Sequence, residues 1–286
     1  MMNLNLKRIQ TAVEGSWKNM HAVCGHRKCR NTMLMRSVPQ SRVGIRIGER
    51  WYCSVDCFME AAYIRISALR ENQVIEMPHN PRLSIGLAML SKGYLTDDQL
   101  RFAVAESQLH GEELDVALVR LGLASERQLA AARAAQWGCP VLVQDGVSQP
   151  VEADIPPTLL RTCCAAPLRF SENGKKLLMG FVYRVEHRLL LALEQVTGCR
   201  AEPCFITQTE YDEQMARLTL VPDCHDEVVY EEIQSSRQMA NTLAGLAIEV
   251  SAREASFVQC RDYLWTRLIG RRRTVDVLFR ASKRYA

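Results

Sequence analysis

Four cysteines in two short pairs are the residues of this chain whose spacing best suits a chemical role. Cys24 and Cys29 enclose four residues. Cys53 and Cys57 enclose three, and 23 residues separate the two pairs. Tetrahedral zinc takes four soft ligands, which two cysteine knuckles joined by a hairpin can supply. The spacing therefore predicts a structural zinc site with no open coordination position, with His26 as an alternative to Cys29.

The residues around the cysteines indicate a small finger at about residues 20–65. Residues 43–47 alternate like a strand, Gly48 and Glu49 suit a turn, and a helical pattern follows Cys57. Knuckle, hairpin, knuckle and helix is the order of a treble-clef zinc finger, which this segment resembles. Residues 1–76 carry a net charge of +6, so an acidic partner is expected there, nucleic acid included.

The remaining seven cysteines are scattered and are predicted to be small buried side chains. The longest apolar run, residues 177–183, is too short to cross a bilayer. Residues 1–18 lack the apolar core of a signal peptide. These features predict a cytoplasmic protein with reduced thiols and no membrane span.

An internal repeat relates residues 84–107 to residues 113–136 with an offset of 29. Each copy predicts a helical hairpin. A glycine ends the first helix, and a hydroxyl residue with Gln three positions later forms a capping box for the second. The matched positions include Ala88 and Ala117, Gly93 and Gly122, Gln99 and Gln128, Leu100 and Leu129, and Ala103 and Ala132.

Two proline-containing breaks, at residues 77–81 and 221–226, divide the chain into three segments. The predicted class is α+β. The segments are residues 1–76 with the zinc finger, residues 77–220 with the repeat and a small α/β layer at 139–218, and residues 221–286. The last segment predicts one helix at 234–254 and a β-hairpin with arms at 257–268 and 275–280.

The repeat and three phrases after it resemble the N-terminal domain of type II secretion and type IV pilus ATPases, the group of GspE, PilB and MshE. The phrases are residues 136–140, 166–168 and 193–198, and the resemblance covers about half of the chain. The chain contains no Gly-x-x-x-x-Gly-Lys-Ser/Thr motif for nucleotide hydrolysis. The resemblance implies a non-enzymatic regulatory or docking protein that binds a protein partner, such as a secretion or pilus component.

Resemblance to the MshEN subgroup implies an alternative function, a cyclic di-GMP receptor. Each motif copy in that subgroup opens with Arg-Leu-Gly and ends with Gln. The first copy here keeps Gly86, and the second keeps Leu114 and Gln136. Neither copy has the arginine, and Arg82 and Gln108 are the displaced residues that would compensate. These five residues are the predicted nucleotide site.

Two acidic residues depart further from that motif. Glu113 and Asp115 stand at the opening of the second copy, where their charges would oppose an anionic ligand. A second alternative is a zinc-finger nucleic-acid binder that uses the basic N-terminal segment.

Overall fold

The structure is a computed structural model that describes residues 21–34, 44–71, 83–142, 155–171, 174–218, 225–232 and 234–281. It confirms the α+β class. The chain divides into two compact units, of which the first combines residues 1–74 with 224–286 and the second is residues 75–223. The two terminal segments, treated as separate in the sequence analysis, are thus parts of one unit.

The N-terminal part of the first unit consists of two short hairpins and a helix. The elements are β1 (His21–Val23), β2 (Thr32–Leu34), β3 (Ile45–Ile47), β4 (Arg50–Tyr52) and α1 (Val55–Glu71). Strand β1 pairs antiparallel with β2, and β3 pairs antiparallel with β4. Gly48 between β3 and β4 has a φ of +55°, a left-handed conformation that favours glycine. The hairpin and helix predicted around the cysteines are therefore present.

The second unit begins with the two predicted helical hairpins. They are α2 (Ile85–Ser91) with α3 (Asp97–His110), and α4 (Leu114–Arg120) with α5 (Glu126–Trp137). Both predicted capping boxes form, at Thr96 and at Ser125. Helix α2 packs against α5, and α3 packs against α4. Equivalent positions of the two copies fill one core, for example Met89 with Leu118 and Ala103 with Ala132.

The second half of this unit is a three-stranded layer. Its elements are α6 (Pro157–Cys163), β5 (Ala165–Phe170), β6 (Lys176–Phe181), α7 (His187–Thr197), β7 (Arg200–Phe205) and α8 (Gln208–Leu218). The strand order is β5-β6-β7, antiparallel and then parallel. No strand was predicted at β5, which contains Pro167. The strand tolerates this proline because it lies at the sheet edge, with a register shift between Pro167 and Arg169.

The predicted strand at residues 141–143 is reduced to a single bridge. Val141 bridges Phe205 at the end of β7, while residue 143 lies outside the described ranges. Within the described part of this segment, Val141 and Leu142 are thus held by an isolated bridge and not by a ladder of paired residues.

The C-terminal part of the first unit has more strands than predicted. Its elements are β8 (His225–Tyr230), α9 (Ser236–Glu249), β9 (Glu254–Cys260), β10 (Tyr263–Ile269) and β11 (Thr274–Arg280). The predicted arm at 257–268 is wrong as one strand, because a turn with Arg261 at φ +48° separates β9 from β10. No glycine marks that turn. The helix predicted to reach residue 254 ends at Glu249, where Ser251 turns the chain with φ +52°.

One six-stranded sheet joins both parts of the first unit, in the order β4-β3-β9-β10-β11-β8. Strand β3 lies parallel to β9, and α1 packs against α9. The shared core includes Phe58, Met239, Leu243 and Phe257, all buried. The finger therefore does not rely on a metal alone for its core. Within the described ranges, no helix combines the length and apolar character needed to cross a bilayer.

Candidate functional site

The four predicted cysteine ligands lie together. Their sulfur atoms are all within 4.8 Å of one another. Cys29 Sγ is 3.6 Å from Cys53 Sγ, which is 3.9 Å from Cys57 Sγ. Tetrahedral zinc with Zn–S bonds of about 2.3 Å holds its sulfurs about 3.8 Å apart. The cluster therefore has the dimensions of a four-thiolate metal site, and His26 is not one of its members.

Backbone hydrogen bonds hold the first knuckle against β4. The Cys24 N–H donates to the Asn31 carbonyl at 3.0 Å, and the Gly25 N–H donates to the Trp51 carbonyl at 2.7 Å. The Cys29 N–H donates to the His26 carbonyl, which closes the turn between the first two sulfurs. These bonds hold the backbone at Cys24 and Cys29.

Helix α1 positions the second pair of cysteines. Cys53 directly follows β4, and Cys57 lies in the first turn of α1. The Ser54 hydroxyl accepts a hydrogen bond of 3.2 Å from the Cys57 N–H, as a helix N-cap does. The positive end of a helix favours nearby thiolates, so this placement suits a metal ligand.

The pKa values of three thiols of the cluster are shifted. Burial raises the pKa of the Cys57 thiol to about 12, and the neighbouring sulfurs add to the shift. Burial also raises the pKa of Cys53. At Cys24, burial raises the pKa, but backbone N–H groups of Cys53 and His26 outweigh it, so the pKa is lowered. Crowded thiolates repel one another, and a bound divalent cation offsets that repulsion.

Three of the predicted nucleotide-site residues lie around the starts of α2 and α4. Gly86 is buried in α2, and a Cβ atom built there would lie 3.4 Å from Leu114 Cδ2. The Gln136 side-chain amide donates to the Leu83 carbonyl just before α2. Gly86, Leu114 and Gln136 are therefore engaged in packing and hydrogen bonding within the repeat.

The other two predicted residues are not brought into this group. Gln108 is exposed near the C-terminal end of α3. Arg82 lies outside the described residues. Neither compensates for the missing arginines through a contact that the structure describes.

A buried ion pair that the sequence analysis missed stands at the second motif copy. The Arg133 guanidinium pairs with the Asp115 carboxylate and donates to the Val182 carbonyl at 2.8 Å. It also lies over the Tyr183 ring, 5.0 Å from the centroid. Burial lowers the pKa of Arg133, while Asp115 and Tyr183 act in the opposite direction. The Asp115 charge, expected to repel an anion, is thus neutralised internally.

A sequence signal for this pair existed. Arg133 is the lone charge within an alanine-rich stretch of α5, flanked by Ala132 and Ala134, both buried. A charged residue on a buried helix face needs a partner. The partner itself is 18 residues away and could not be chosen from the pattern.

Replacing Gly86 by alanine is expected to destabilise the second unit by about 1–3 kcal/mol through overpacking. The added Cβ would lie 2.7 Å from Leu100 Cδ1. Gly245 in α9 is the matched control, because a Cβ there meets nothing within 4 Å. Gly245→Ala should stabilise the first unit by about 0.5–1 kcal/mol, because alanine has a higher helix propensity than glycine. Urea unfolding measures both, and equal effects of the two changes would contradict the packing role of Gly86.

No protein-family model matches the chain. Over 129 residues it is 29% identical to the type IV pilus assembly ATPase PilB of Thermus thermophilus. That match covers 44% of this chain and 14% of PilB, so the chain spans a small part of that relative.

Two solved structures are also similar to part of the chain. The N-terminal domain of XpsE has 25% sequence identity and a TM-score of 0.36, covering 46% of this chain and 92% of that one. The structure of MshE with cdg has 20% identity and a TM-score of 0.36, covering 48% of this chain and 99% of that one.

The repeat and its neighbouring phrases predicted a resemblance to secretion and pilus ATPases. The match to PilB supports that prediction. Over 129 residues, the chain is thus confirmed to resemble the pilus assembly ATPase PilB.

Proposed function

We propose that this protein is a non-enzymatic, cytoplasmic regulatory or docking protein whose paired helical hairpins bind a protein partner. The supporting observation is that equivalent positions of the two hairpins expose apolar side chains. Leu87 and Val116, 29 residues apart, are each 48% exposed. Val119 adds a further apolar side chain, 40% exposed, on the same face of α4 as Val116. Exposed apolar groups of this kind are typical of contact surfaces.

The exposed side chains are not needed to hold the hairpins together. The capping boxes satisfy the helix starts, and Met89, Leu118 and Ala103 are fully buried in the core. Side chains that a fold leaves exposed are available to a partner. Because the chain resembles a pilus assembly ATPase, we propose that the partner is a component of secretion or pilus machinery.

The test is co-purification after cross-linking in a bacterium that has such machinery. The wild-type chain should recover a machinery component, and the Leu87→Gln, Val116→Gln double variant should recover about tenfold less. The matched control replaces Leu191 and Ile248, which are 59% and 64% exposed elsewhere, by glutamine. Equal recovery with both double variants would refute docking through the hairpins. Release of phosphate from ATP by the purified chain would refute the non-enzymatic part.

Cyclic di-GMP binding is the alternative function of the same hairpins. It is favoured by the juxtaposition of Gly86 and Leu114 and by the neutralised charge of Asp115. Titration calorimetry with cyclic di-GMP tests it: heat at micromolar ligand would establish this function. We expect no heat for the wild type. Restoring arginines with Ser84→Arg and Glu113→Arg should create binding if arginine loss is the only defect.

We further propose that the cysteine cluster holds structural zinc. The metal would tie the knuckle at residues 24–29 to the start of α1, through Cys53 and Cys57. Four thiolate ligands close the coordination shell, so the ion would organise this end of the unit and take no part in a reaction.

A further inference from the structure

A large groove lies beside the cysteine cluster in the first unit. Its volume is about 1110 Å³. One wall is the knuckle at residues 25–28, another is the turn at residues 47–50, and the floor includes a face of α1. Small-molecule sites are usually about 300–1,000 Å³, so this groove has room for a segment of a larger molecule.

The groove carries uncompensated positive charge. Arg27, Lys28, Arg50 and Arg65 line it and are exposed. Among the residues that the structure describes, none of these four forms an ion pair. Of the two acidic residues in the lining, Glu60 is already paired with Arg237 at 2.7 Å. The field in the groove therefore attracts an anionic partner.

Helix α1 adds an apolar stripe to the same groove. Ala61, Ile64 and Ala68 recur at helical spacing along the lining, with Arg65 beside them. Ile64 is 60% exposed although it is large and apolar. A partner that fits this wall must offer apolar groups between its negative charges.

We propose that this groove binds an acidic peptide segment of a protein partner, with apolar residues interspersed among its carboxylates. A peptide can set its carboxylates against Arg27, Arg50 and Arg65 and its apolar residues against Ile64. Nucleic acid fits less well, because a backbone charged at every nucleotide would face the exposed carboxylate of Glu49. Of the two aromatic rings among the described lining residues, Tyr52 is only 6% exposed and His26 is half-buried, so neither offers an open stacking platform.

Fluorescence anisotropy with the full chain tests this proposal. The probe is a labelled synthetic peptide of glutamate and leucine, compared with its lysine and leucine counterpart and with mixed-sequence duplex DNA. We expect the glutamate peptide to bind and the lysine peptide not to bind. Arg50→Glu with Arg65→Glu should weaken binding of the glutamate peptide about tenfold or more. Ile64→Gln should weaken it as well, without a change of charge.

The matched control is Arg271→Glu with Arg272→Glu, the same charge change in the loop between β10 and β11 of the same unit. It should leave the affinity for the glutamate peptide within about twofold of the wild-type value. Circular dichroism should find every variant folded. Equal weakening by both pairs, or no peptide binding, would overturn the proposal. Tighter binding of duplex DNA than of the peptide at physiological salt would assign the groove to nucleic acid. Because all these changes lie in the first unit, docking by the hairpins of the second unit is tested separately.

Discussion

Replacing Cys53 by serine is expected to reduce bound zinc from about one ion per chain to none, as measured by elemental analysis of the purified protein. Cys53 Sγ lies within 4 Å of two other sulfurs of the cluster, so its loss removes a central ligand. A neutral hydroxyl is a poor ligand for zinc compared with a thiolate. The remaining three cysteines would keep their places through the knuckle and helix hydrogen bonds but would lack a closed coordination shell.

The same change should destabilise the first unit by more than about 4 kcal/mol, the range expected for loss of a structural metal. The effect should extend beyond the finger, because Cys24, Trp51 and Phe58 share one core with the C-terminal strands. Cys199→Ser is the matched control. Cys199 is half-buried in the second unit, and its sulfur donates to the Gly174 carbonyl, which a hydroxyl can also do.

Acidification is expected to reduce both zinc binding and the stability of the first unit, as Cys53→Ser does. Zinc binding requires thiolates, so the affinity falls as protons compete below neutral pH. Chelator titration monitored by thermal unfolding would follow both effects. Zinc retained at full occupancy by the Cys53→Ser variant, or lost equally from Cys199→Ser, would contradict the assignment of the site.

Replacing Arg133 by methionine is expected to destabilise the second unit by about 3 kcal/mol or more. The substitution leaves the Asp115 carboxylate, whose side chain is 15% exposed, without its cation. It also removes the hydrogen bond to the Val182 carbonyl. Combining Arg133→Met with Asp115→Ala should recover part of the loss, because no unpaired charge then remains. Urea unfolding of both single variants and the double variant measures the coupling.

An exposed pair provides the comparison for Arg133. Arg101 and Asp97 lie 2.7 Å apart on the surface of α3, with side chains 78% and 63% exposed. Arg101→Met should change stability by at most about 0.5 kcal/mol, because water screens the pair. If Arg133→Met proved equally harmless, the buried pair would not be what stabilises the contact between α4 and α5.

The predictions that the structure supports were those carried by local spacing. The capping boxes at Thr96 and Ser125 and the glycine helix ends involve residues within a few positions of each other, so the interaction is visible in the pattern. The two cysteine pairs are also visible in the sequence spacing. The structure brings their four sulfur atoms together, although Cys24 and Cys57 belong to different pairs. The repeat offset made the common core of the two hairpins predictable in the same way.

Two predictions failed at local turns that contain no glycine, at Ser251 and Arg261, and others required partners distant in the chain. Strand β8 was missed, and β3 pairs with β9 some 200 residues later, which unites the ends of the chain in one sheet. Arg133 likewise meets Asp115 and Val182 through the tertiary structure of the second unit.

Sequence by itself therefore determined the grouping of the four cysteines, the hairpins and their caps. Tertiary structure alone decided which strands share a sheet and which charges are buried together. The physical reason is that a helix satisfies its backbone hydrogen bonds within four residues, whereas a strand or a buried charge needs a partner whose position in the chain no local pattern encodes.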